Sequence, residues 1–139
     1  MCLEPLILAG WLLTQNYSGV SVHKTNLDAA ALEVQTCERG AGLDFKATTS
    51  GLYGVALQYG LSTTVHGWTI TATPKAGLAY VDHHVREQAH PGNFELGGQV
   101  LIGRERWRIG AEYWHISNAY TSRPNGGLDL LMFQAGWIF

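Results

Sequence analysis

The sequence predicts an all-β fold: a small antiparallel up-and-down transmembrane β-barrel, with eight strands expected. Three observations lead there. Apolar residues alternate with small or polar ones over segment after segment, as in strands that turn one face to each of two environments. The later segments are joined by connections that alternate between tight and long. Charged residues make up only 14% of the chain, yet no apolar run approaches the roughly 18 residues of a membrane-spanning helix.

The elements follow in order. Residues 6–13 (LILAGWLL) form a short apolar run. Its length suits a signal-peptide core, but Glu4 precedes it and no Lys or Arg does, so a first strand is an equal reading. Residues 1–17 are therefore expected to be an atypical or truncated export signal, or a first strand, and 18–139 the barrel domain. Residues 18–23 and 42–47 are weaker strand candidates, and 29–34 read as a single helical turn. The pattern then sharpens. Over 51–65, Tyr53, Val55, Leu57, Tyr59 and Leu61 share one face. Over 68–82, Trp68, Ile70, Ala72, Leu78 and Tyr80 oppose Thr69, Thr71, Thr73, Lys75 and Gly77. Over 94–104, Phe94, Leu96, Val100 and Ile102 oppose Glu95, Gly97, Gln99 and Gly103. The last two strands lie within 107–139. Six or seven strands are countable, and a bacterial barrel of this type takes an even number.

A soluble barrel turns apolar faces inward, and a membrane barrel turns them outward. Small or charged residues on the polar faces, such as Lys75, Glu95, Gln99, Arg108, Glu112 and Gln134, suit a narrow polar lumen. Arg108 and Glu112 share that face and are expected to pair. Aromatic residues near strand ends (Trp68, Tyr80, Phe94, Trp107, Tyr113, Trp137) suit interfacial girdles. The expected location is the bacterial outer membrane.

Net charge is −2 and the pI about 6.3, without the basic stripe of a nucleic-acid binder. Cys2 and Cys37 lack metal-ligand spacing. His83, His84 and His90 cluster in a long connection with no acidic or cysteine partner at ligand spacing, so no metal or other cofactor is expected.

Chemistry concentrates in the C-terminal hairpin. Trp107, Ile109, Ala111, Tyr113, His115 and Ser117 share one face. Asp129, Leu131, Phe133, Ala135, Trp137 and Phe139 share a face of the next strand. A loop centred near Ser122 would place His115 opposite Asp129. A carboxylate that orients an imidazole, and an imidazole that takes a serine proton, are the parts of a nucleophilic hydrolase. Asn118, Asn125 or backbone N–H groups near Ala119 and Tyr120 are the candidate oxyanion donors. Taken alone, the spacing leaves open that these are ordinary polar residues where strands leave the membrane.

The string His115-Ile116-Ser117-Asn118-Ala119, then Pro124-Asn125-Gly126-Gly127-Leu128-Asp129, then a strand ending at Phe139, resembles the PagL-type lipid A 3-O-deacylases. These are small outer-membrane barrels that hydrolyse an acyl ester of lipid A. Gly19-Val20-Ser21-Val22-His23 also resembles a segment near the start of mature members. The resemblance implies His115 as base, Ser117 as nucleophile and Asp129 as acid, with Asn118 and Asn125 near the oxyanion. Two departures stand out: the acid is Asp where well-known members carry Glu, and Tyr120 stands where Gly is common.

The reading is thus a serine esterase that removes the 3-O-linked acyl chain of lipid A in lipopolysaccharide. The acyl chain would lie against Ala111, Tyr113, Leu131 and Phe133, and Arg123 is the candidate for a lipid A phosphate. Expected partners are lipid A and membrane lipid, not nucleic acid, and a homodimer is open. The rivals are a non-catalytic outer-membrane barrel and a soluble lipid-binding barrel of lipocalin type.

Overall fold

In a computed structural model, residues 5–14, 29–82, 91–118 and 127–139 are described, with backbone alone for 11–14. They form strands β1 (Leu6–Thr14), β2 (Ala29–Gln35), β3 (Gly40–Thr48), β4 (Leu52–Val65), β5 (Trp68–Val81), β6 (Gly92–Arg104), β7 (Trp107–Ser117) and β8 (Leu128–Ile138). Each pairs antiparallel with its neighbours in sequence, and β1 pairs with β8 to close the barrel. Closure leaves no strand edge unpaired, the condition for backbone to cross hydrocarbon.

The 6–13 run lies in β1, paired with β2 on one side and β8 on the other. The helical turn expected at 29–34 is instead strand β2. Ala29, Ala31, Glu33 and Gln35 point inward, and β1 and β3 take up its backbone hydrogen bonds on both edges. A six-residue run is too short to nucleate a helix against that competition. The 42–47 candidate falls within β3. The 18–23 candidate lies outside the described residues.

The alternation faces as a membrane barrel requires. Leu57, Leu61, Leu78, Leu96, Val100 and Ile109 are exposed on the outer wall. Glu33, Asp44, Lys46, Thr71, Lys75, Gln99 and Glu112 are buried inside it. This is opposite to the inward-facing apolar arrangement of a lipocalin-type barrel. The connections at 36–39, 66–67 and 105–106 lie at one end, together with the start of β1 and the end of β8. His66 (φ 50°) and Gly67 (φ 79°) both take the left-handed conformation that a two-residue hairpin needs to follow strand twist. Trp68, Trp107 and Trp137 ring this end, and Trp107 meets Trp137 edge-to-face at 4.6 Å. Tyr53, Tyr80 and Phe94 lie toward the other end, where the connections at 15–28, 82–91 and 118–127 are long.

The lumen is filled. An apolar cluster that includes Leu52, Val81, Trp114, Ile116, Leu128 and Leu130 sits beneath the long-loop end. Leu6, Leu8, Leu101 and Ile138 close the short-turn end. A polar layer lies between them. Lys75 bridges Glu33, Asp44 (3.2 Å) and Glu112 (2.8 Å), and Lys46 bridges Asp44 and Glu112 (3.0 Å). Gln99 joins Gln35 (2.7 Å) and Gln134 (2.6 Å). Buried charges are tolerated only when paired, and here each lysine meets more than one carboxylate. The expected Arg108–Glu112 pair does not form. Four residues apart, the two are separated by about 13 Å of strand rise. Arg108 turns to the short-turn end, pairs with Glu38 and donates to the carbonyls of Glu105 (3.0 Å) and Trp107 (2.8 Å). Cys37 is buried; the other cysteine of the sequence, Cys2, lies outside the described residues.

Candidate active site

β7 and β8 pair so that His115 stands directly opposite Asp129, the register the sequence predicts. His115 Nδ1 lies 2.7 Å from Asp129 Oδ1. An ionised carboxylate only accepts, so this contact places the ring proton on Nδ1 and leaves the Nε2 lone pair free to act as a base. Both side chains are partly exposed, and both lie on the outer wall. Ser117 follows two positions along β7, on the same outer face and half-buried, about 6.6 Å away in strand rise. No hydrogen bond joins the Ser117 hydroxyl to the imidazole among the described residues. Such contacts commonly tighten only around substrate.

The pair is held from inside the barrel. Trp114 and Ile116 flank His115 in sequence, Leu128 and Leu130 flank Asp129, and all four belong to the apolar cluster under the long-loop end. Strand alternation thus anchors each outward polar residue between two buried neighbours. Trp114 is fixed further by donating Nε1–H to Glu95 at 2.7 Å. Gly127 lies close to the imidazole. Its φ is 64°, and a Cβ there would lie 3.3 Å from His115 Cε1.

Below the pair, the wall carries the residues expected to hold an acyl chain. Tyr113 is paired with Leu131 and Ala111 with Phe133, all on the outer face. Tyr113 does more than line the wall, since its hydroxyl donates to Asp129 Oδ1. That link was not foreseen from the sequence. Asn118 follows β7 with inward parity and is buried, so its side chain is not on the face that carries Ser117. Arg123, Asn125, Ala119, Tyr120, His83, His84 and His90 lie outside the described residues. No cluster of potential metal ligands occurs among the described residues.

The family model described as lipid A 3-O-deacylase (PagL) matches residues 12–137. The chain belongs to the PagL family. At the level of the family, this is an ester hydrolase of lipid A carried on an outer-membrane β-barrel. The PagL fold agrees with a solved structure titled "Crystal structure of the outer membrane enzyme PagL". It superimposes with a TM-score of 0.67 at 13% identity, over 96% of this chain and 98% of that one. The outer membrane protein Ail of Yersinia pestis, solved in a phospholipid bilayer nanodisc, gives a TM-score of 0.53 at 13% identity over 98% and 99% of the two chains. At such identities the likeness establishes the barrel, and the family match carries the chemistry. A search of curated protein sequences gives no match.

Proposed function

We propose that this PagL-family protein is a serine esterase that removes the 3-O-linked acyl chain of lipid A, with Ser117, His115 and Asp129 as its triad. The observation that carries the reading is the 2.7 Å His115–Asp129 contact on the outer wall, with Ser117 two residues along the same face. Polar groups on a lipid-facing surface are disfavoured, so a paired His and Asp there ask for a reason beyond decoration.

Nε2 of His115 takes the Ser117 hydroxyl proton as Oγ attacks the ester carbonyl carbon. Asp129 holds the ring and stabilises the imidazolium. The tetrahedral intermediate collapses, the sugar oxygen leaves with the proton from His115, and the acyl group stays on Ser117. Water gives a proton to His115 and attacks the acyl-enzyme, which frees the fatty acid and restores Ser117. The backbone N–H of Asn118, whose side chain is turned inward, and Asn125 are the proposed sources of oxyanion donors, and Arg123 the proposed contact to a lipid A phosphate. The acyl chain would descend the wall past Tyr113 and Leu131 to Ala111 and Phe133. All three triad groups come from one chain, so the mechanism calls on no second copy.

The test is mass spectrometry of lipid A after incubation with detergent-refolded protein. Loss of one 3-O-linked acyl chain with wild type, and none with Ser117→Ala or His115→Ala, is expected. Unchanged lipid A from a folded wild-type barrel would favour the non-catalytic barrel instead.

A further inference from the structure

Asp129 Oδ1 accepts two hydrogen bonds, one from His115 Nδ1 at 2.7 Å and one from the Tyr113 hydroxyl. The two donors come from the same strand, two residues apart on the same face. His115 is directly across from Asp129, whereas Tyr113 reaches it diagonally, from its own register partner Leu131. A diagonal neighbour across an antiparallel pair lies within reach only of a long side chain, and tyrosine is one.

Each partner needs the other. Tyr113 is half exposed on a wall that faces hydrocarbon, where a phenolic O–H without an acceptor loses the hydrogen bond it would make in water. Asp129 is a short side chain whose carboxylate can swing about two torsions. A single bond to the imidazole fixes the distance between the two groups but leaves the carboxylate free to pivot. A second donor on the same oxygen, from below, removes that freedom. Since β7 supplies both donors, the orientation of Asp129 on β8 is referenced to the strand that also carries Ser117.

We propose that Tyr113 is a positioning residue of the esterase, acting through Asp129. Its hydroxyl holds the carboxylate in the orientation that keeps the His115 ring proton on Nδ1 and aims Nε2 at Ser117. This rests on the triad reading above and adds to it a fourth residue, which acts without touching the reacting atoms. The aromatic ring and the hydroxyl then have separable roles: the ring belongs to the wall along which an acyl chain would lie, and the hydroxyl to the triad.

Tyr113→Phe separates them, because it keeps the ring and removes only the donor. Steady-state deacylation by the full-length refolded barrel should show kcat lowered by about 10- to 100-fold, the range for one lost hydrogen bond to a charged group, with KM unchanged. The loss should depend on Asp129. In an Asp129→Asn background, whose residual rate is measured over long incubations, Tyr113→Phe should change the rate by less than about twofold, since residues acting as a unit are not additive. A wild-type kcat for Tyr113→Phe, beside an inactive Ser117→Ala, overturns the Tyr113 role and leaves the triad standing. A rise in KM at constant kcat, or an equal fall in both backgrounds, also overturns it, in favour of a substrate contact. Full hydrolysis by Ser117→Ala in the same assay overturns the triad and the Tyr113 role together.

Discussion

Asp129 is one methylene shorter than the glutamate that the resemblance leads one to expect, and it still reaches His115. The direct cross-strand register explains this, since opposed residues have Cβ atoms only about 4.5–5.5 Å apart. The pairing was legible in the sequence because a single connection joins the two strands, its midpoint sets the register, and the apolar faces of both strands fix the parity. The second bond to Asp129, from Tyr113, was not legible, because a diagonal contact depends on side-chain rotamers that no periodicity records. Gly127 is a similar case. A glycine in a loop is unremarkable in sequence, but here it sits at φ 64°, where a Cβ would lie 3.3 Å from His115 Cε1, a tight contact. Gly127→Ala should strain the backbone by about 1–2 kcal/mol and press on His115. We expect kcat to fall by about tenfold or more while the barrel stays folded, as judged by heat-modifiable gel mobility. A wild-type rate would mean that the ring position tolerates more than the packing suggests.

At the scale of elements, β4 to β8 were legible to within two residues at each end, because their outer faces are mainly aromatic and aliphatic and alternate with small or polar residues. β2 was misread. Its alanine-rich opening favours helix by intrinsic propensity, and only the presence of β1 and β3 on either side makes it a strand. Lumen partners were also beyond reach. Arg108 finds Glu38 seventy residues away, a contact set by every register between them around the barrel, and not the nearer Glu112. The lysine-centred layer makes a prediction about stability. Lys75→Met would leave Glu33, Asp44 and Glu112 short of a cation in a buried site. It should destabilise the barrel by about 3–5 kcal/mol in denaturant titrations of the refolded protein. A variant as stable as wild type would show that the remaining Lys46 and the glutamines suffice to neutralise the layer.

For the whole molecule, the decisive property is inversion: apolar residues cover the outside, and the charged residues are drawn into a layer inside, between two apolar clusters. The lysines and carboxylates of the lumen support the wall from within, and the wall turns the His115–Asp129 pair and Ser117, the proposed triad, outward. Leu57, 71% exposed, lies on the outer wall near the middle of β4. Leu57→Lys should cost about 2–4 kcal/mol of stability in a bilayer, measured by reversible unfolding from liposomes, because a cation at mid-wall faces hydrocarbon. No penalty there would mean that this part of the wall does not meet lipid. The claim that joins these scales is that Ser117, on the lipid-facing wall, is an activated nucleophile. A lipophilic phosphonate that reacts with activated serines, followed by peptide mapping, tests it most directly. The account predicts modification at Ser117 in the wild-type barrel and none in His115→Ala. Modification at another residue, Ser117 labelling that survives His115→Ala, or an active enzyme whose Ser117 stays unmodified would contradict it.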